Sequence, residues 1–208
     1  MAEAVAIAAA EGLPRVSMKH LAERLGSGVM SLYRHVPGKD ELVALMYDSI
    51  MSTPPDLPAD QGWRAALTAW AHAVRDLFLA HPWALPLATV NHVLGPGEAG
   101  WLDSAMRAVG ASGFATDLSL ASVMAVNNYV GGAVRPELHG GQEDPLWFTF
   151  LADDGAMQRF PALADLVTEG HFQESALLRD HFSFGLERLL DGLERYLEPG
   201  SGQGASLT

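Results

Sequence analysis

The chain has no cysteine, which excludes disulfides, thiolate zinc sites and thiol catalysis. Charge is also sparse. Only 18% of the 208 residues are Asp, Glu, Lys or Arg, against 49% hydrophobic, the balance of a well-buried globular protein. No apolar run is long enough to span a bilayer. The apolar opening AVAIAAA has Glu3 before it and no basic run, so it is a poor secretion signal. A soluble, cytoplasmic protein is expected. There is no strand alternation, no internal repeat, no glycine-rich phosphate loop and no G-x-S-x-G. Ser183 lies two residues from His181, where helical side chains point apart, so no nucleophile is paired with an oriented base. His72, His81, His92, His139, His171 and His181 stand in no recognisable metal-ligand motif. Neither an enzyme nor a bound metal or cofactor is expected.

What is present is the stretch 17–39, SMKHLAERLGSGVMSLYRHVPGK. Ser17 can cap a first helix, and Leu21, Ala22 and Leu25 give that helix an apolar stripe. Gly26 follows where a helix commonly ends at positive φ. A second helix is expected over about 29–36, with Leu32 and Val36 facing inward and Pro37-Gly38 as its stop. Two helices joined by a short glycine-containing turn form a helix-turn-helix, whose second helix enters the DNA major groove. Arg34 and Lys39 can reach phosphates or guanine edges, and Ser31, Tyr33 and His35 offer hydrogen bonds. On geometry alone an ordinary helical hairpin with a solvated face remains the alternative.

The strings LAERLG and SLYRHVPGKDELV closely resemble the DNA-binding domain of TetR-family transcriptional repressors, over about residues 4–51. The resemblance implies recognition-helix positions for Val29, Met30, Ser31, Tyr33, Arg34 and His35. It places Lys39 where the family contacts phosphate, and Ser17 and Lys19 at the DNA-facing end of the preceding helix. Val29 and Met30 are apolar, which suits a thymine methyl group. Ser27 stands where many relatives carry valine, which either loosens the turn or adds a phosphate contact. The first helix, 2–11, is short for the family.

The net charge of −12 is unexpected for a DNA binder, but its distribution is uneven. Between Arg15 and Lys39 five basic residues face one acid, Glu23, whereas beyond Ile50 there are 8 basic and 19 acidic residues. The acidic part should face away from DNA. A fourth helix is expected over 39–51, with Leu42, Leu45, Met46 and Ile50 on one side, followed by a proline-rich linker at 53–58. The expected division is a DNA-binding domain at 1–51, a helical ligand-binding and dimerisation domain at 52–200, and a disordered tail at 201–208.

The second domain reads as all-α. Long helices are expected over 63–81, 98–109, 116–134 and 174–197, with a short helix broken by Pro86 over 83–94 and a mixed stretch over 138–173. The last helix carries a stripe of Leu178, Phe182, Leu186, Leu189, Leu193 and Tyr196, widened by Leu177, Phe184 and Leu190. The helices at 116–134 and 174–197 hold more apolar surface than one small bundle needs, so they are expected to pair with a second copy as a homodimer. TetR-like proteins dimerise this way and bind a small molecule inside this domain. Candidate pocket residues are Trp70, Phe78, Trp83, His92, Trp101, Met124, Asn127, Asn128, Trp147 and Phe150, each with plain core packing as the alternative. A metal-chelate ligand, as in some family members, would need only one or two histidines. The expected function is a ligand-responsive, operator-binding regulator, with repression the family habit. The alternatives are a ligand-independent regulator and a dimeric interaction module with a vestigial DNA-binding domain.

Overall fold

A computed structural model describes residues 1–88, 93–138, 154–161 and 180–197, and these are built from helices and turns. His92, Trp147, Phe150, residues 174–179 and the tail at 201–208 lie outside the described residues. The first four helices are α1 (Ala2–Glu11), α2 (Met18–Arg24), α3 (Val29–Tyr33) and α4 (Lys39–Ile50). They enclose Ala4, Ile7, Val16, Met18, Leu21, Leu42 and Met46, all buried.

Three expectations are corrected in this part. Leu25 is 51% exposed, because α2 ends at Arg24 and Leu25 already belongs to the turn. Leu45 is exposed and Tyr47 is buried in its place; the inward stripe of α4 runs through Leu42, Met46, Tyr47 and Ile50. Helix α3 stops at Tyr33 rather than Val36. The N–H groups of His35 and Val36 both turn back onto the Leu32 carbonyl at 2.9 Å, and Pro37 disfavours a helical Val36.

The remaining helices are α5 (Gly62–Ala80), α6 (Leu85–Ala88), α7 (Pro96–Gly110), α8 (Thr116–Ala133), α9 (Arg135–Leu138), α10 (Asp154–Arg159) and α11 (His181–Leu197). Helix α7 begins at Pro96, so what reads as a Gly-Pro-Gly turn is its first turn. Proline is tolerated there because no intrahelical partner awaits its missing N–H. Helix α5 is the central post. Its buried face of Leu67, Trp70, Ala71, Val74 and Phe78 packs against α7 and α8, and α11 packs on α8. The indole of Trp70 ties α5 to α7 by donating to the Trp101 carbonyl at 3.1 Å. Arg64 of α5 reaches Asp191 and Glu194 of α11 at 2.6 and 3.0 Å. Arg75 pairs with Glu137 and lies over the Phe182 ring, 5.1 Å from its centroid.

Helix α8 is apolar on most sides but is buried on only one. Ser119, Ser122, Val123, Val126 and Val130 face the core. The two serines bond back to the carbonyls of Ala115 and Leu118 at 3.1 and 2.8 Å, which satisfies their buried hydroxyls. Leu120 and Met124 remain 42% exposed. On α11 the buried stripe is Phe182, Leu186 and Leu190, while Phe184 and Tyr196 are exposed, so Tyr196 does not extend the inward stripe.

Where α8 meets α11, the Tyr129 hydroxyl contacts the carbonyls of His181 and Phe182 at 3.0 and 2.8 Å. It fits because Gly185 has no side chain: a Cβ there would lie 2.8 Å from the Tyr129 ring. A mid-helix glycine costs roughly 0.5–1 kcal/mol relative to alanine, and this contact is the physical reason for it. Gly185→Ala is therefore expected to destabilise the fold by about 1–3 kcal/mol through overpacking, lowering Tm by several degrees in a thermal melt. Tyr129→Phe, which loses only the hydroxyl, should cost about 1 kcal/mol.

The buried Nδ1 of His81 has no hydrogen-bond partner among the described residues, and burial lowers the pKa of this histidine. Protons are then taken up by the unfolded chain at a pH where the folded chain resists them, so His81 costs stability as pH falls below about 6.5. The loss of Tm between about pH 7.5 and pH 5.5 should be smaller in His81→Gln than in the parent protein.

Candidate nucleic-acid interface

The turn between α2 and α3 is built by local chemistry. Ser17 Oγ accepts the His20 N–H at 3.1 Å and caps α2. At the other end Gly26 adopts φ 62°, a conformation that costs glycine nothing. The Ser27 N–H then reaches the Ala22 carbonyl at 3.0 Å, the wide bond of a Schellman-type helix end. The Ser27 residue itself is exposed, so it adds no packing to the turn. Helix α3 is held from below by Val29, Leu32 and Val36, which pack partly buried against the core.

Met30, Ser31, Tyr33, Arg34, His35 and Lys39 are all exposed. Met30, at 69%, is the projecting apolar group of the recognition helix; Val29 is turned partly inward. Ser17 is half-buried and occupied as a cap, and Lys19 is exposed beside Glu23 at 3.9 Å.

The local charge differs from a count over 15–39. Two acids from α1 fold back onto this stretch. Glu3 takes Arg24 at 2.7 Å, and Glu11 approaches Arg15 at 3.7 Å and the His20 ring at 3.6 Å. Arg24 thus staples α1 to α2. Among the described residues Arg34 and Lys39 form no ion pair, which leaves them as the cations available to phosphate or base. The folding-back of Glu3 and Glu11 has no local signal in the sequence.

The interface is joined to the second domain by a contact that sequence reading missed. The C-terminal end of α4 abuts the N-terminal end of α7. Asp48 Oδ1 accepts the N–H groups of Gly97 and Glu98 at 2.7 and 3.3 Å. The carboxylate thus satisfies two donors that have no intrahelical partner, at the positive end of the helix dipole. The approach requires glycine: a Cβ on Gly97 would lie 2.5 Å from the Asp48 carbonyl oxygen and 3.0 Å from that of Met51. Beside it Tyr47 is buried, and burial, with the nearby Glu98 charge, keeps its phenol protonated well above its usual range. The Gly-Pro-Gly string at 95–97 was the available clue.

The expected ligand residues are only partly gathered. Trp70, Phe78 and Trp101 are buried, with Trp70 bonded to the Trp101 backbone. Met124 and Asn128 face outward and Asn127 is half-buried, because α8 turns its valines and serines to the core. Among the described residues the buried indole N–H groups of Trp83 and Trp101 have no hydrogen-bond partner. A cleft of about 260 Å3 lies between the linker and α7, lined by Pro55, Asp56, Leu57, Ser104, Arg107 and Ala108; it touches none of the expected ligand residues. Among the described residues no group of His, Asp and Glu is arranged to hold a metal ion, and no helix is long and apolar enough to cross a membrane.

Comparison with known proteins finds two family profiles along the chain. Residues 1–46 match the profile "Bacterial regulatory proteins, tetR family", and residues 54–197 match "Tetracyclin repressor-like, C-terminal domain". The HTH-type transcriptional repressor DrrR1 of Streptomyces coeruleorubidus is 36% identical over 97% of this chain and 78% of its own length. An HTH-type transcriptional regulator of Saccharopolyspora erythraea is 31% identical over 88% of this chain and 78% of its own length. Among solved structures, apo ActR of Streptomyces coelicolor is similar with a TM-score of 0.76 and 26% identity, covering 98% of this chain and 95% of that one. The same protein in complex with actinorhodin gives 0.75 and 25%, covering 96% and 95%. The chain belongs to the TetR family of DNA-binding transcriptional regulators.

Proposed function

We propose that the protein is a homodimeric, cytoplasmic, one-component repressor that releases a near-palindromic operator when its second domain binds a small molecule. The observation that carries the DNA half is the face of α3 and the start of α4. There Met30, Ser31, Tyr33, Arg34 and His35 stand exposed, with Lys39 following at the start of α4 and neither cation drawn into an ion pair among the described residues. In this reading residues 1–51 read DNA, and residues 52–200 carry the ligand site and the dimer contact. Met30 lies against a thymine methyl group, Arg34 reaches base or phosphate, and Lys39, Ser17 and Lys19 lie along the backbone.

The dimer forms through 116–134 and 174–197. The exposed Leu120 and Met124 of α8 and Phe184 and Tyr196 of α11 are the apolar surface such a contact covers. For the ligand half, support comes from relatives. DrrR1 is named a repressor, ActR holds actinorhodin, and a TetR variant of Acinetobacter baumannii, 22% identical, holds minocycline. The indole donors of Trp83 and Trp101, without a partner among the described residues, favour a ligand that brings acceptor oxygens, since indole nitrogen only donates. Release requires the ligand to prefer the conformation with the wrong recognition-helix separation by a few kcal/mol.

Selection from random duplex DNA at fixed salt is expected to enrich an inverted repeat; the absence of any enriched repeat would remove this reading. With that operator in hand, Arg34→Ala and Tyr33→Ala should each weaken binding roughly tenfold or more, equivalent to the loss of 1–3 kcal/mol of base or backbone contact. Dimerisation measured by sedimentation should not change. Lys39→Ala should lower the slope of log K against log salt by about 1.

A further inference from the structure

We propose that Asp48 is a positioning residue that fixes the operator half-site spacing the protein accepts; this rests on the dimeric DNA-binding reading above. Helix α4 belongs to both halves of the molecule. Its Leu42 and Met46 are fully buried in the DNA-binding core, so α4 moves with the recognition helix. Its other end is held to α7 by the Asp48 carboxylate on the Gly97 and Glu98 N–H groups. The glycines let the two backbones come so close that a Cβ on Gly97 would lie 2.5 Å from the Asp48 carbonyl oxygen and 3.0 Å from that of Met51. Pro54 closes the same corner, since a Cβ on Gly100 would meet its ring at 3.1 Å. A further approach between the two halves, α1 against the turn Pro82–Ala84, shows no hydrogen bond or ion pair among the described residues. Apolar packing is shared across the two halves, and the hydrogen bonds that give their contact a direction lie where Asp48 sits.

A small error at this joint is large at the DNA. Lys39 is nine residues before Asp48, roughly 14 Å along a helix. A tilt of about 10° along the DNA axis would carry the start of α4 by roughly 2.4 Å, and two symmetric protomers would change their separation by about 5 Å, against a rise of about 3.4 Å per base pair. The joint must therefore be stiff if a dimer is to choose one spacing.

The test is selection from a library of inverted repeats whose central spacer varies in length, with the full-length protein and three variants. The parent should enrich one spacing. Asp48→Asn keeps an acceptor oxygen, as asparagine caps helices well, and should keep that spacing. Asp48→Ala and Gly97→Ala, which damage the same contact from opposite sides, should broaden or shift the preferred spacing by at least about one base pair, with the half-site sequence unchanged. A merely structural role would lower affinity at every spacing alike. A folded Asp48→Ala protein with the parental spacing profile would overturn the proposal. If a thermal melt shows Asp48→Ala to be unfolded, a folded Gly97→Ala protein decides by the same criterion. A parent that enriches no inverted repeat removes the dimeric reading itself, a different outcome from a parent and variants that share one spacing.

Discussion

The rest of the structure depends on α4 serving two partners at once. Near its middle it fills the small DNA-binding core with Leu42 and Met46, and at its end it supplies the cap for α7. A domain of about fifty residues buries little apolar surface by itself and is marginally stable. Here that core runs without a break through Tyr47 and Met51 into the packing around α5. The two halves are distinct in sequence but share one apolar cluster. Their relative orientation is then a property of the folded state, more than of the proline-containing linker.

The DNA face shows a second economy. With a net charge of −12, the chain as a whole repels a polyanion, and the folding-back of Glu3 and Glu11 reduces even the local positive field. Long-range attraction is weak, so affinity must come from a few short-range contacts. A protein that neutralises few phosphates binds non-specific DNA poorly. Its discrimination between sites then does not have to overcome a large sequence-independent background.

The helical elements were largely legible because their signals are local. Ser17 caps, Gly26 turns and Pro37 stops, and each acts within one turn of helix. The stripe of α5 was legible because it repeats over five turns. What was not legible depends on residues far apart in the chain. Leu25 and Leu45 fit an apolar pattern but face solvent, because a helix end and a neighbouring Tyr47 decide the matter. Met124 and Asn128 look like core or pocket residues in a helix that is apolar nearly all round; only the packing of α11 and α5 shows which side is covered. The Asp48 cap joins residues 49 positions apart, and the Arg24 pair with Glu3 spans 21. Neither carboxylate announces its partner, because a carboxylate in a helix reads the same whether its partner is water or another helix.

Helix α3 divides its labour completely. The residues that hold it, Val29, Leu32 and Val36, point down, and those that face outward, Met30, Ser31, Tyr33, Arg34 and His35, contribute nothing to the buried core. Surface substitutions of this kind usually change stability by less than about 0.5 kcal/mol. The reading head can therefore be rewritten almost freely while the scaffold stays intact. If these residues read the operator as proposed, a copy of this gene could drift to a new one by single steps, each yielding a folded protein, so that the fold imposes almost no barrier between one DNA address and the next.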